Sequence, residues 1–116
     1  MSRLPLFPTD EHFITHTRAV LAMLLRGEHC DQFSYHQHTG LPIADFRTRV
    51  SELYRNGWPI ERAFHHTHDN NGEPRRCKYY WLDRELMRAY FGQEPAFKTR
   101  CEAFAQKYGG SLCRAS

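Results

Sequence analysis

Cysteine and histidine are the residues of this chain with the widest chemistry, and several lie close together in the sequence. One histidine-rich segment contains His65, His66 and His68. Alternation along a strand would place the last two on one side, close to a thiol from Cys77 or Cys30. Zinc takes about four such ligands, but none of the cysteines or histidines has the paired spacing of a zinc finger. The sequence therefore predicts no metal site, with a zinc module as the alternative.

The same residue types could also form a catalytic pair, in which a histidine activates the thiol of Cys77. Such a pair needs an acid that orients the histidine and donors that stabilise an oxyanion, and the sequence indicates neither. It contains no phosphate-binding glycine loop and no dinucleotide-binding fingerprint. The sequence therefore predicts that the protein is not an enzyme and needs no cofactor.

Residues 41–57 carry a second set of side chains, whose chemistry suits nucleic-acid binding. On a helix, small and basic residues fall opposite or beside the apolar stripe of this segment. Arginine pairs with guanine through two hydrogen bonds, and serine or threonine contacts phosphates or bases. The predicted DNA contacts of this helix are Arg47, Thr48, Ser51 and Arg55. Arg49 lies to one side and can serve a phosphate or a nearby carboxylate, and an ordinary solvated face is the alternative for the whole set.

More basic residues follow the polar segment 66–76. Its Asn-Asn-Gly sequence at 70–72 predicts a tight turn between two strands. At such a turn Arg75, Arg76 and Lys78 can enter a minor groove or hold the phosphate backbone. Two acidic residues dilute this charge, so a solvated loop of mixed charge is the alternative.

A regular series of helices and strands must position these side chains. The helices predicted from apolar spacing and caps cover residues 13–26, 31–39, 41–57, 83–91 and 96–108. The predicted strands cover residues 60–65, starting after Pro59, and 77–82. The predicted core consists of Leu21, Leu24, Leu25, Phe46, Val50, Leu53, Ile60, Phe64, Tyr80 and Leu82. The later aromatic residues either pack back on the first helix or form a dimer surface, and we favour the dimer; they are Phe91, Phe97, Phe104 and Tyr108.

Length and composition limit the class of protein. With 116 residues, 41% of them hydrophobic and 14% aromatic, the chain is predicted to fold as one domain with a modest core. No apolar run approaches the roughly 20 residues of a membrane span, and the first residues lack a secretory signal. Four scattered cysteines indicate reduced thiols. We therefore expect a cytoplasmic protein, whose net charge of +3 permits nucleic-acid binding without requiring it.

Residues 49–60, RVSELYRNGWPI, resemble a signature of small winged helix-turn-helix domains that are common in phage and prophage proteins. That signature is R-hydrophobic-x-[DE]-L-x-x-x-G-x-x-I, and the aromatic end of the second strand, Tyr80-Trp81-Leu82, is similar to the end of the wing. The resemblance covers about residues 14–82. It implies an α+β, mostly α fold of three helices plus a β-hairpin wing, with 41–57 as the recognition helix.

Together these interpretations predict an extended arm over residues 1–12, a winged helix-turn-helix domain over 13–82 and a helical extension over 83–116. The predicted function is non-catalytic binding of double-stranded DNA by a phage-type or prophage-type transcriptional regulator or architectural factor. A homodimer through the C-terminal helices is a further expectation. The alternative is a winged-helix protein-interaction module, an adaptor or inhibitor of a host protein.

Overall fold

The computed structural model describes residues 3–9, 14–69 and 71–109. Within these ranges the chain forms five α-helices and one two-stranded antiparallel sheet, so the predicted mostly helical α+β class is confirmed. The helices are α1 (Ile14–Leu25), α2 (Gln32–Thr39), α3 (Phe46–Arg55), α4 (Arg84–Gln93) and α5 (Pro95–Phe104). The remaining parts of the predicted arm, Asn70 of the predicted turn, and Cys113 with its neighbours lie outside the described residues.

Local caps explain where the helices begin and end. The Asp31 side chain accepts hydrogen bonds from the backbone amides of Phe33 and Ser34 at the start of α2. Asp83 accepts from the amide of Leu86 at the start of α4. Aspartate is a favoured N-cap because its short side chain satisfies amides that have no helical partner. A 3-10 turn (Ile43–Asp45) leads into α3, and a π-helical turn (Ala105–Gly109) follows α5.

The β-hairpin consists of β1 (Ile60–His68) and β2 (Pro74–Leu82), and both strands extend further into the polar segment than predicted. Ile60 pairs with Leu82 at one end and His68 with Pro74 at the other. The reason for the extra length lies in the turn, where the Asp69 carboxylate accepts hydrogen bonds from the amides of Asn71 and Glu73. An aspartate in a turn supplies such acceptors locally, so the ladder continues to the tip.

Backbone hydrogen bonds also tie the free edge of β2 to the α1–α2 connection. The amide of Cys30 donates to the carbonyl of Tyr80 over 2.9 Å, and the amide of Tyr80 donates to the carbonyl of Cys30 over 2.8 Å. The hairpin is therefore held on two sides, by its own pairing and by the helices.

One hydrophobic core extends through all five helices of the described chain. Residues 19–24 of α1 are all buried, because α3 lies on one side of α1 and the C-terminal helices lie on another. Most of the predicted core residues belong to this core, and Leu25 is partly buried against it. Phe64 does not: it is 54% exposed, and its assignment to the core is wrong. It shares a face of the hairpin with the buried Tyr80, but its ring lines an open depression beside α3 that solvent reaches.

The C-terminal helices complete this core. Phe97 of α5 is 1% exposed, and its ring stacks on Trp58 with a centroid distance of 5.8 Å. The Tyr108 ring lies 4.8 Å from the guanidinium carbon of Arg18 on α1. The later aromatic residues are predicted either to pack back on the first helix or to form a dimer surface. Phe97 and Tyr108 pack against the rest of the chain.

The N-terminal segment 3–9 is extended and packs against the same helices. The amide of Leu6 donates to the carbonyl of Asn56, and the indole Nε1 of Trp58 donates to the carbonyl of Leu6. The Phe7 ring lies 5.3 Å from the ring of Trp58 and 5.2 Å from that of Phe104. The segment thus joins the end of α3 to α5. None of the helices in the described ranges is long and apolar enough to cross a membrane.

Candidate nucleic-acid interface

A groove runs between the outer side of α3 and one face of the hairpin. On α3, Phe46, Val50 and Leu53 are buried, so the opposite side of the helix faces solvent. The exposed side carries all four residues predicted to contact DNA from this helix: Arg47, Thr48, Ser51 and Arg55.

The hairpin supplies the other wall of the groove. In the register, Arg62 pairs with Tyr80, Phe64 with Lys78 and His66 with Arg76. Paired residues of an antiparallel ladder point to the same face, so these six side chains share one side of the sheet. Arg62 is not among the residues predicted to contact DNA, but the structure places it in this group.

Two adjoining depressions of about 320 and 330 Å³ form the groove. The cationic side chains that line them, called the basic groove from here on, are Arg47, Arg55, Arg62, Arg76 and Lys78. Among the described residues, none that lines either depression is acidic. A concave surface with cations of one sign concentrates positive potential and attracts polyanions.

Phe64 stands within this basic groove as an exposed aromatic ring. The guanidinium carbon of Arg76 lies 4.2 Å from the ring centroid, and the Lys78 ammonium lies 5.4 Å from it. These distances allow cation–π attraction on a side chain that solvent still reaches. An aromatic ring flanked by cations can stack on a base or insert at a base step. No motif in the sequence marks Phe64, because its aromatic character is equally typical of a core strand.

Arg75 lies apart from the other predicted wing residues. It pairs with Thr67 and therefore points to the opposite face of the hairpin from Arg76. Its Nε lies 2.9 Å from a carboxylate oxygen of Asp69, and this hydrogen bond is the main cause that lowers the pKa of Asp69. The structure therefore brings together the α3 residues with Arg76 and Lys78, but not with Arg75.

Arg49 belongs to an internal network. Only 5% of the residue is exposed, and its guanidinium lies 3.1 Å from Glu52 and 3.7 Å from Asp45. Of the two roles predicted for Arg49, the structure shows the ion pairs with carboxylates.

The same two carboxylates link α3 to the other helices. Asp45 binds His16 of α1 and accepts a 3.3 Å hydrogen bond from the Tyr35 hydroxyl of α2. Thr17 donates to Glu52 over 3.0 Å. Burial, with the charge of Asp45 as the second cause, raises the pKa of Tyr35 well above its usual value, so this hydroxyl remains a donor. The network fixes α3 on α1 and α2 and so holds its other side toward solvent.

The opposite face of the hairpin carries a separate cluster of Asp31, His65 and Cys77. His65 Nε2 lies 2.8 Å from Asp31 Oδ2 and 3.5 Å from Cys77 Sγ. Burial, followed by the charge and hydrogen bonding of Asp31, raises the pKa of the Cys77 thiol to about 11. The zinc alternative that combines His66 and His68 with Cys77 does not form, because Cys77 pairs with His65 while His66 and His68 both point to the other face.

This cluster also contains an acid, Asp31, beside the histidine and the cysteine. The sequence alone does not indicate this acid as the third member of a Cys–His catalytic pair. In such a pair the acid orients the histidine through one ring nitrogen while the other nitrogen faces the nucleophile. Here Asp31 and Cys77 both contact Nε2 of His65. A thiol with a raised pKa is also a weak nucleophile at neutral pH. The geometry thus differs from that of an activated thiol.

Comparison with known proteins gives no match to a family model, to a curated protein or to a solved structure.

Proposed function

We propose that this protein is a non-catalytic DNA-binding protein of the winged helix-turn-helix type. In this proposal α3 is the recognition helix and enters the major groove of double-stranded DNA. The hairpin is the wing and lies along the phosphate backbone. Arg47, Thr48, Ser51 and Arg55 read the bases or adjacent phosphates, while Arg76 and Lys78 hold the backbone. Because Arg75 faces away, Arg62 takes its place among the wing contacts.

The order of elements and their attachment support this fold type. Three helices precede the hairpin, and the α1–α2 connection is hydrogen bonded to β2 through Cys30 and Tyr80. The resemblance of residues 49–60 to a winged helix-turn-helix signature of phage and prophage proteins adds the functional class. On that basis we propose a role in transcription regulation or DNA architecture.

The observation that carries the proposal is the basic groove itself. Five cations from α3 and both strands line one concave surface, and none of the described lining residues is acidic. Contacts to phosphates supply much of the affinity of DNA-binding proteins, whereas a few helix side chains supply selectivity. The cations lie on both α3 and the hairpin. This arrangement suits double-stranded DNA, because the phosphate backbone borders the major groove that a recognition helix would occupy.

The test is fluorescence anisotropy on mixed-sequence duplex DNA across a series of salt concentrations. We expect log Kd to change steeply with log salt, with a slope of about 0.9 for each phosphate contacted. The double variants Arg47→Ala/Arg55→Ala and Arg62→Ala/Arg76→Ala should each weaken binding at least about tenfold and reduce that slope by roughly 2.

A matched control removes two arginines from a different surface. Arg84→Ala/Arg88→Ala changes the net charge by the same amount, but both residues line a different cleft, which shares no lining residue with the basic groove. If this control weakened DNA binding equally, the loss of affinity would be explained by net charge alone, and the proposal would be overturned. Binding that does not respond to salt would overturn it as well.

That cleft favours a second candidate function, a protein-interaction module. It has a volume of about 510 Å³ and is mainly apolar, with Leu24, Trp81, Met87 and Phe91 among its lining residues. Its cations, Arg84, Arg88 and Lys98, outnumber the single acidic residue that lines it. This chemistry suits an acidic amphipathic helix that places its apolar side in the cleft. The control variant above would then abolish peptide binding, while the basic-groove variants would leave it unchanged.

A further inference from the structure

The cluster of Asp31, His65 and Cys77 brings three kinds of metal ligand together from two parts of the fold. His65 and Cys77 are directly opposite each other in the hairpin, and Asp31 lies at the start of α2. Their ligand atoms, one from each residue, all lie within 4.8 Å of one another. A carboxylate oxygen, an imidazole nitrogen and a thiolate sulfur are each common zinc ligands.

The distance between the thiol sulfur and the imidazole nitrogen fits a tetrahedral site. Zinc bonds of about 2.0 to 2.3 Å imply ligand-to-ligand distances of roughly 3.3 to 3.6 Å. The observed 3.5 Å between Cys77 Sγ and His65 Nε2 falls in this range. The 2.8 Å between His65 Nε2 and Asp31 Oδ2 is shorter and corresponds to a direct hydrogen bond. A small outward rotation of the imidazole would admit an ion among the three atoms.

The surroundings fix the ligands in place. The other oxygen of Asp31 accepts the amide hydrogens of Phe33 and Ser34, over 2.9 and 2.7 Å, which leaves Oδ2 directed at His65. Only 6% of Asp31 is exposed. Hydrogen bonds that orient a ligating carboxylate in this way are typical of metal sites.

We propose that Asp31 Oδ2, His65 Nε2 and Cys77 Sγ bind a divalent ion of the zinc class, with a water molecule as the fourth ligand. On binding, the Cys77 thiol loses its proton to solvent and coordinates as the thiolate, and His65 binds through its neutral ring. Three protein ligands and one water complete four-coordinate zinc. His65 and Cys77 point to the opposite face of the hairpin from Arg62, Phe64 and Lys78. Cys77 also borders one depression of the basic groove, so the two sites are neighbours on either side of β2.

Such an ion would join α2 to the hairpin at a second point. The backbone bridge between Cys30, just before α2, and Tyr80 already connects this segment to β2 near the base of the hairpin. The ion would lie three pairs further along the ladder, at the His65–Cys77 pair, and so closer to the tip. It would restrict the angle between the hairpin and the helices, and with it the width of the basic groove.

The test is titration of the full chain with cobalt(II) under reducing, metal-free conditions. We expect one equivalent to produce a thiolate-to-cobalt charge-transfer band and the visible bands of four-coordinate cobalt, both removed by stoichiometric zinc. Cys77→Ser should lose the charge-transfer band, and His65→Ala should weaken binding at least tenfold. Asp31→Asn should weaken it similarly while the amide oxygen still caps α2.

Two variants serve as matched controls. His66→Ala removes a neighbouring exposed histidine that points to the other face, and Cys101→Ser removes a buried thiol in α5. Both should leave the titration unchanged. A charge-transfer band that survives Cys77→Ser, or the lack of any such band in the folded wild type, would contradict the proposal.

X-ray absorption at the zinc edge of the wild type provides a measure that does not depend on how well the variants fold. One sulfur at about 2.3 Å and three nitrogen or oxygen neighbours at about 2.0 Å are expected. A shell made only of nitrogen and oxygen would mean binding by surface histidines and would overturn the site.

Discussion

Phe64 is a large aromatic side chain, 54% exposed, between two cations on the hairpin. Exposing such a ring forgoes the burial of its apolar area, so a ring in this position is typical of a binding surface. In the proposed complex its neighbours in the basic groove would supply charge for phosphates, and the ring would supply a flat apolar surface for a base or sugar. At the scale of the residue, cations and an exposed aromatic ring lie together in one small area. This combination favours nucleic acid as the ligand.

Replacing this ring should therefore affect binding more than stability. Phe64→Ala should weaken duplex binding by roughly fivefold or more, since one aromatic contact to a base contributes about 1 kcal/mol or more. The free energy of unfolding should change by about 0.5 kcal/mol or less, because the side chain is exposed. Phe64→Trp keeps an aromatic surface and should bind nearly as well as the wild type. Anisotropy and urea unfolding measure the two effects; a large loss of stability without a loss of affinity would contradict this role.

At the scale of the element, local signals in the sequence predict that the helices exist, although the predicted helix 41–57 is α-helical only over Phe46–Arg55. Asp31 and Asp83 cap α2 and α4 as their positions in the sequence indicate, since a cap depends on residues two or three positions away. The strand ends depend on how Asp69 folds over its own turn, and the sequence alone underestimates their length. The Asp31–His65–Cys77 cluster depends on tertiary contact between distant segments. Residue spacing therefore could not reveal it.

Arg49 holds α3 through its buried ion pairs, so this arginine should contribute to stability without itself contacting DNA. Arg49→Ala would leave the carboxylates of Asp45 and Glu52 without its positive charge in a largely buried setting. We expect a loss of about 3 kcal/mol in the free energy of unfolding. Arg47→Ala, two residues away but exposed, is the matched control and should cost about 0.5 kcal/mol or less. Urea unfolding followed by circular dichroism compares them; equal effects would show that the network does not hold α3.

For the whole molecule, the contact between the C-terminal helices and the rest of the chain determines whether the chain unfolds as one unit. Phe97 lies against Phe7 and Trp58, which come from the N-terminal segment and from the link between α3 and β1. A helical extension with a separate core would make few such contacts. Here one core joins residues from segment 3–9 to α5, so we expect the chain to unfold as one cooperative unit.

Phe97→Ala tests this cooperativity. Removing a fully buried phenylalanine costs about 3 to 5 kcal/mol, which for a chain of this size lowers the melting temperature by roughly 10 °C or more. Helix content, followed by circular dichroism, and the environment of Trp58 and Trp81, followed by fluorescence, should change together in a single shifted transition. Leu86→Ala, on the exposed side of α4, should leave the transition almost unchanged. If instead only part of the helical signal melted early while the tryptophan signal kept its wild-type midpoint, residues 84–109 would form a separate unit. The aromatic residues of α5 would then be free to serve the predicted dimer.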